Sequence, residues 1–128
     1  VGQAVSESGG FMKKVNDVEV QILAMEATEL RILGALAAGQ NLGPESSILK
    51  TRGTELQQAV TELALEISGS YAAPLDQSTP APGDNFQPIG PQAHNGVAQE
   101  YFNTRKVSIY AGSNEIQRNI MSKLVLGL

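Results

Sequence analysis

The chain contains no cysteine and no tryptophan, and it has a single histidine, His94. Without cysteine there is no disulfide framework, no thiolate metal site and no thiol nucleophile. One histidine cannot build a histidine-rich metal centre, so no metal site is expected. Aromatic residues make up only 5% of the sequence, so the core must come from Leu, Ile, Val, Ala and Met, the composition of packed helices. Basic charge is not in excess either. The net charge is −4, the wrong sign for a nucleic-acid surface. Lys13-Lys14 is too short to form a basic patch. No apolar run approaches the roughly 20 residues a membrane-crossing helix needs. No secretory signal is recognisable. Together these absences predict a reducing, cytoplasmic setting.

What is present is enough for one domain. Apolar residues make up 41% of the 128 residues and charged residues 17%, which suits a packed core rather than a disordered tail. Residues 1–10 are small and polar and end in Gly9-Gly10, which predicts a flexible lead-in to a domain over 11–128. From Phe11 to Ala38 the pattern is helical. Phe11, Val15, Val18, Ile22 and Met25 form one stripe, and Leu23, Leu30, Leu33 and Ala37 a second. So wide an apolar surface predicts a helix packed on more than one neighbour. Gly39, Asn41 and Gly43 supply a turn.

Pro44 and Glu45 suit the start of a second helix that runs to about Tyr71. Its stripe of Leu49, Gly53, Leu56, Val60, Leu63 and Ile67 has the 4-3 spacing of bundle packing, with Gly53 marking a close crossing. Residues 72–92 hold five of the six prolines and read as a long crossover loop, pinned by Phe86 and Ile89. A third helix is predicted from His94 to Ile109. A fourth runs from Ser113 or Asn114 to Leu126, with Ile116, Ile120, Met121 and Leu124 inward. The fold class is all-α, an up-down four-helix bundle with one long Pro-rich crossover between helices 2 and 3.

Between the last two helices lies Ala111-Gly112-Ser113. Gly112 can adopt backbone angles denied to other residues, and Ser113 can cap the following helix. Such a break is either a plain helix joint or a place where a helix N-terminus and a hydroxyl meet a polar ligand.

The segment Ile109-Tyr-Ala-Gly-Ser-Asn-Glu-Ile-Gln-Arg118, followed by Leu-Val-Leu-Gly-Leu128, resembles the C-terminal signature of acyl-CoA dehydrogenases. Glu62-Leu-Ala-Leu-Glu-Ile-Ser-Gly-Ser-Tyr71 is similar to the family's Gln-x-x-Gly-Gly-x-Gly-Tyr segment in degenerate form, and Ser47-Ile-Leu-Lys50 to its Lys-containing helix start. The resemblance covers nearly the whole chain but only the family's last domain, which implies a fragment of a longer enzyme. It implies FAD as cofactor, acyl-CoA as substrate and an electron-transferring flavoprotein as acceptor. It also implies assembly with homologous subunits into a homo- or hetero-tetramer. By the same resemblance Ser113, Asn114 and Glu115 lie against FAD and Gly112 near the thioester. Glu66, Gly69 and Ser70 would touch the FAD of a neighbouring subunit.

Two departures bear on those roles. Glu66 replaces a common Gln, and Ser70 replaces a Gly that lets backbone come close. Ala111 occupies the slot where many members carry the catalytic glutamate, so no catalytic residue is assigned in this chain. Either the base comes from an earlier helix, as in some members, or the chain belongs to an inactive subunit of a hetero-oligomeric flavoprotein. A third reading is a non-catalytic helical oligomerisation module. Among other residues, Glu115 reads as a partner of the helix dipole, His94 as a solvated loop residue, and Arg105, Lys106 and Arg118 as a solvated face or ion pairs. Tyr101, Phe102 and Tyr110 read as core.

Overall fold

The computed structural model describes residues 8–41, 43–74, 83, 85 and 89–127. Among them the chain is all-α, with four α-helices and no strand: α1 (Gly9–Ala37), α2 (Glu45–Ser68), α3 (Val97–Thr104) and α4 (Asn114–Met121). Together they make the expected helical bundle.

α1 begins earlier than predicted. The Ser8 hydroxyl accepts a hydrogen bond from the Phe11 N–H at 3.5 Å, and this cap draws Gly9 and Gly10 into the helix. They are therefore not lead-in, while residues 1–7 lie outside the described residues. At its other end Gly39 takes φ +76°, and the N–H groups of Ala38, Gly39 and Gln40 donate to Gly34, Leu36 and Ala35. Those are the last carbonyls the helix leaves open. α2 starts behind Pro44, whose carbonyl accepts from Ser47 and Ile48.

α2 is the centre of the molecule, in contact with α1, α3 and α4. α1 runs antiparallel to it. Lys14 meets Glu66, and Met25 lies against Gly53. The crossing at Gly53 is real but not tight, because a Cβ there would sit 3.6 Å from the Met25 methyl, ordinary contact. Residues 50, 54, 58 and 61 of α2 face the other way, toward α3 and α4. At ~100° per residue the two sets fall on different faces of the helix.

Among the described residues three apolar ones are buried: Phe11, Leu56 and Val107. The second stripe on α1 is exposed, with Leu23 at 57%, Leu30 at 62% and Leu33 at 53%. Within this chain α1 packs chiefly on α2, not on two neighbours as its width predicted. Its apolar surface exceeds what one antiparallel partner can cover.

The predicted third helix divides. Gln92–His94 form a 3₁₀ turn, α3 spans Val97–Thr104, and a second 3₁₀ turn covers Arg105–Ser108. Gly96, at φ +77°, separates the first turn from α3. α4 ends in a π-helical turn, Ser122–Leu126. Most of the crossover, Phe86 included, lies outside the described residues, and Ile89 is exposed rather than pinned.

Five core assignments reverse. Phe102 is exposed because the inner face of α3 is taken by Tyr101 and Thr104, and Tyr110 is exposed in the bend that follows the second 3₁₀ turn. Ile116, Ile120 and Leu124 also point outward. Asn114 is the residue that turns toward α2, and Ile116 and Ile120 lie about 200° and 240° around α4 from it. Gln117 and Met121 share the inner side.

Candidate functional site at the helix break

The chain leaves the α3 region through a 3₁₀ turn whose Lys106 carbonyl accepts from the N–H groups of Ile109 and Tyr110. It then turns sharply. Ala111 has φ +56° and Gly112 φ +83°. Left-handed backbone at a residue with a Cβ costs about 1–2 kcal/mol, so something must hold Ala111 there. The positive φ is what asks for glycine at 112; a Cβ there would stand 2.7 Å from the Gln117 side-chain nitrogen, the far end of a flexible side chain that can move aside.

Ser113 then caps α4. Its hydroxyl accepts from the Ile116 N–H at 3.4 Å, and its carbonyl accepts from Gln117 at 2.9 Å. The capping reading of Ser113 thus stands in the geometry.

What holds the corner is a row of polar side chains on α2. The Lys50 ammonium donates to the Val107 carbonyl at 3.0 Å and to Asn114 Oδ1 at 3.1 Å. Thr54 exchanges hydrogen bonds with the Asn114 amide, at 3.1 and 3.0 Å. Gln58 donates to the Arg105 carbonyl at 3.2 Å. The Arg105 guanidinium answers toward the Gln58 carbonyl, Thr61 and Glu62, at 2.9, 2.9 and 2.8 Å, and lies over the Tyr101 ring. With its N–H groups so engaged, Arg105 is an anchor and not a free phosphate ligand. Lys106 donates to Asn103, and Arg118 pairs with Glu55.

The sequence-predicted residues separate into three groups. Ala111, Gly112, Ser113 and Glu115 reach the surface at the corner, between exposed Ile109, Tyr110 and Ile116. Asn114 does not. It is buried, and its amide is committed to Thr54 and Lys50. Glu66 sits near the far end of α2, about 24 Å along the helix axis from Lys50 at ~1.5 Å per residue, and Gly69 and Ser70 lie in the 3₁₀ turn just beyond it. One chain therefore does not bring them to the corner. Glu66 pairs with Lys14 at 2.9 Å, and Gly69 ends the helix at φ +52°.

The Glu115 carboxyl is held below its ordinary value of 4.5. The main cause is a hydrogen bond from its own backbone N–H. The Ser113 hydroxyl adds to this, and so, more weakly, do the charges of Arg118 and Lys50. It is an ionised acceptor at neutral pH.

His94 corrects another expectation. It is half-buried, its Nδ1 is 2.9 Å from the Ser68 hydroxyl, and it stacks on Tyr71 at 5.5 Å. The Ser68 hydroxyl donates to the Ala64 carbonyl at 2.7 Å. Its proton is therefore engaged, and the pair closes the end of α2 rather than forming a nucleophile and base. The recess beside it has room for about 30 Å³, one water's worth. A larger open groove, about 480 Å³, lies between the end of α1 and the start of α2 and is lined by Arg31, Ile32, Leu36 and Ile48 among others.

Sequence reasoning missed Lys50, Thr54 and Gln58 as a set. Their regular spacing of four was the available signal, but it is also the spacing of a solvated helix face.

Among the described residues no helix is long and apolar enough to cross a membrane, and no cluster of three or more His, Asp or Glu could hold a metal ion. The chain matches the family model for the C-terminal domain of acyl-CoA dehydrogenases over residues 1–126. No curated protein and no solved structure matches it.

Proposed function

The chain belongs to the acyl-CoA dehydrogenase family, as its C-terminal domain, and from that premise we propose that it serves an FAD-dependent enzyme that introduces an α,β double bond into an acyl-CoA. The observation that carries this reading is the corner at 111–113. The family-like motif coincides with an exposed, left-handed backbone turn fastened from behind by α2.

The donors at the corner suit a polar cofactor edge. Ser113 is half-exposed, and the Asn114 N–H at the head of α4 has no backbone acceptor among the described residues. Ionised Glu115 beside them repels phosphate and accepts from hydroxyl or amino groups. This set fits the hydroxyl-bearing adenosine part of FAD better than its pyrophosphate. Asn114 serves through its backbone, its side chain being turned inward. Gly112 offers the substrate a backbone without a side chain.

FAD, when bound, supplies the acceptor for the hydride leaving the β carbon. The α proton needs a base, and no residue at the corner qualifies. Ala111 has no proton-accepting group. Glu115 has its affinity for a proton lowered, which makes it a poorer base. On this reading the base comes from an earlier helix of a longer enzyme, with the helical bundle from Gly9 onward acting as its C-terminal domain. Glu66, Gly69 and Ser70 lie too far along α2 to share this corner, which supports a role toward a neighbouring subunit's FAD. The exposed apolar faces of α1 and α4 support assembly with homologous subunits. Electrons then pass to an electron-transferring flavoprotein.

The competing reading is an inactive subunit or helical oligomerisation module. It is favoured by Ala111 and by Glu66, whose carboxylate is already taken by Lys14. Purification of the full-length protein separates the two. The enzyme reading expects a yellow, flavin-bearing protein bleached by an acyl-CoA. A protein that stays colourless with added FAD, alone and with any homologous subunit, sinks it.

A further inference from the structure

Lys50 lies on α2, yet its ammonium reaches both sides of the break. It donates to the Val107 carbonyl before the corner and to the Asn114 side chain after it. The six residues between those two contacts include Ala111 and Gly112, whose own N–H groups make no backbone hydrogen bond among the described residues. No carboxylate lies within ion-pair distance of Lys50 among the described residues. The charge is spent on a carbonyl and an amide. It also points at the positive end of α4, an unfavourable arrangement for helix stability alone. A neutral residue would fill this half-buried place with less penalty if packing were the only need.

We propose that Lys50 is a positioning residue for the Ala111–Gly112 corner. By tying Val107 to Asn114 it sets the span of the loop and holds Ala111 in left-handed backbone. The ammonium, which can only donate, selects the oxygen of the Asn114 amide, and Thr54 holds the same amide from its own hydroxyl. The tether itself follows from the contacts. Only its effect on flavin chemistry rests on the dehydrogenase reading above.

The test compares Lys50→Met with the parent in the full-length protein, by two measurements. The first is backbone amide hydrogen exchange and needs no flavin. Exchange at the hydrogen-bonded amides that flank the corner, Ile109, Tyr110, Ile116 and Gln117, should accelerate about tenfold, with the amides of α1 unchanged. Unchanged exchange at the break overturns the proposal, and so does equal acceleration in α1, which marks a merely structural loss. The second uses protein carrying its full complement of FAD. The rate of flavin bleaching at saturating acyl-CoA should fall about tenfold, while the half-saturating concentration stays within about twofold. A rate equal to the parent's overturns the positioning role. A parent that binds no flavin, or is not bleached, counts against the dehydrogenase reading and leaves the exchange measurement to judge Lys50. If Lys50→Met does not fold, Lys50→Gln replaces it. That change keeps a donor but shortens its reach, and the same two outcomes decide.

Discussion

The two faces of α2 are held by different forces. Toward α1 the contact is apolar at Phe11, Leu56 and Met25–Gly53, with exposed charge pairs such as Lys14–Glu66 at its border. Toward α3 and α4 it is polar and directional, through Lys50, Thr54, Gln58 and Thr61. Apolar contact is strong but tolerates sliding, whereas hydrogen bonds fix position within tenths of an ångström. The apolar side suits a surface that other helices complete. The polar side suits a backbone corner that must not move.

The sharpest way to break this comparison is Asn114→Leu. It fills the space but leaves the Lys50 ammonium and the Thr54 hydroxyl with a lost partner, and the stability loss should be about 3 kcal/mol by urea unfolding. A loss under ~1 kcal/mol would mean that the polar seam is decoration. Leu56→Ala tests the other face. Leu→Ala in a core removes about 2–5 kcal/mol, and the open surroundings of α1 allow relaxation, so about 2 kcal/mol is expected. If this change outweighs Asn114→Leu, the order of the two faces is reversed.

The smallest effect belongs to Glu115→Gln. The folded protein binds a proton at Glu115 less readily than the ordinary value of 4.5 implies. Its contribution to stability is therefore complete above that value and fades as pH falls through the lower, folded one. Unfolding midpoints measured from pH 7 to pH 3 should fall less steeply in the variant. Superimposable profiles would remove the carboxylate from the account of the corner.

The all-α class, α1 and α2 were legible because apolar periodicity and the glycines and proline at 39–44 mark them. The corner was legible because glycine and a capping serine punctuate it. The facing of α4 was not. Apolar Ile116 and Ile120 outrank Asn114 on any hydrophobic count, yet Asn114 is the one buried. A sequence records which residues dislike water, not which amide will be met by an ammonium 64 positions away. The same blindness hid His94, whose partners Ser68 and Tyr71 lie across the crossover.

The latch at Lys50 also orders events in time. α1 and α2 are joined by the short stretch 38–44, so their hairpin closes a small loop and forms among the first contacts. Lys50 and Asn114 close a loop of 64 positions, and on a growing polypeptide Asn114 emerges after both helices of that hairpin. The corner is thus assembled after the hairpin. During synthesis the hairpin stands ready to recruit its neighbours before the ligand-facing turn exists.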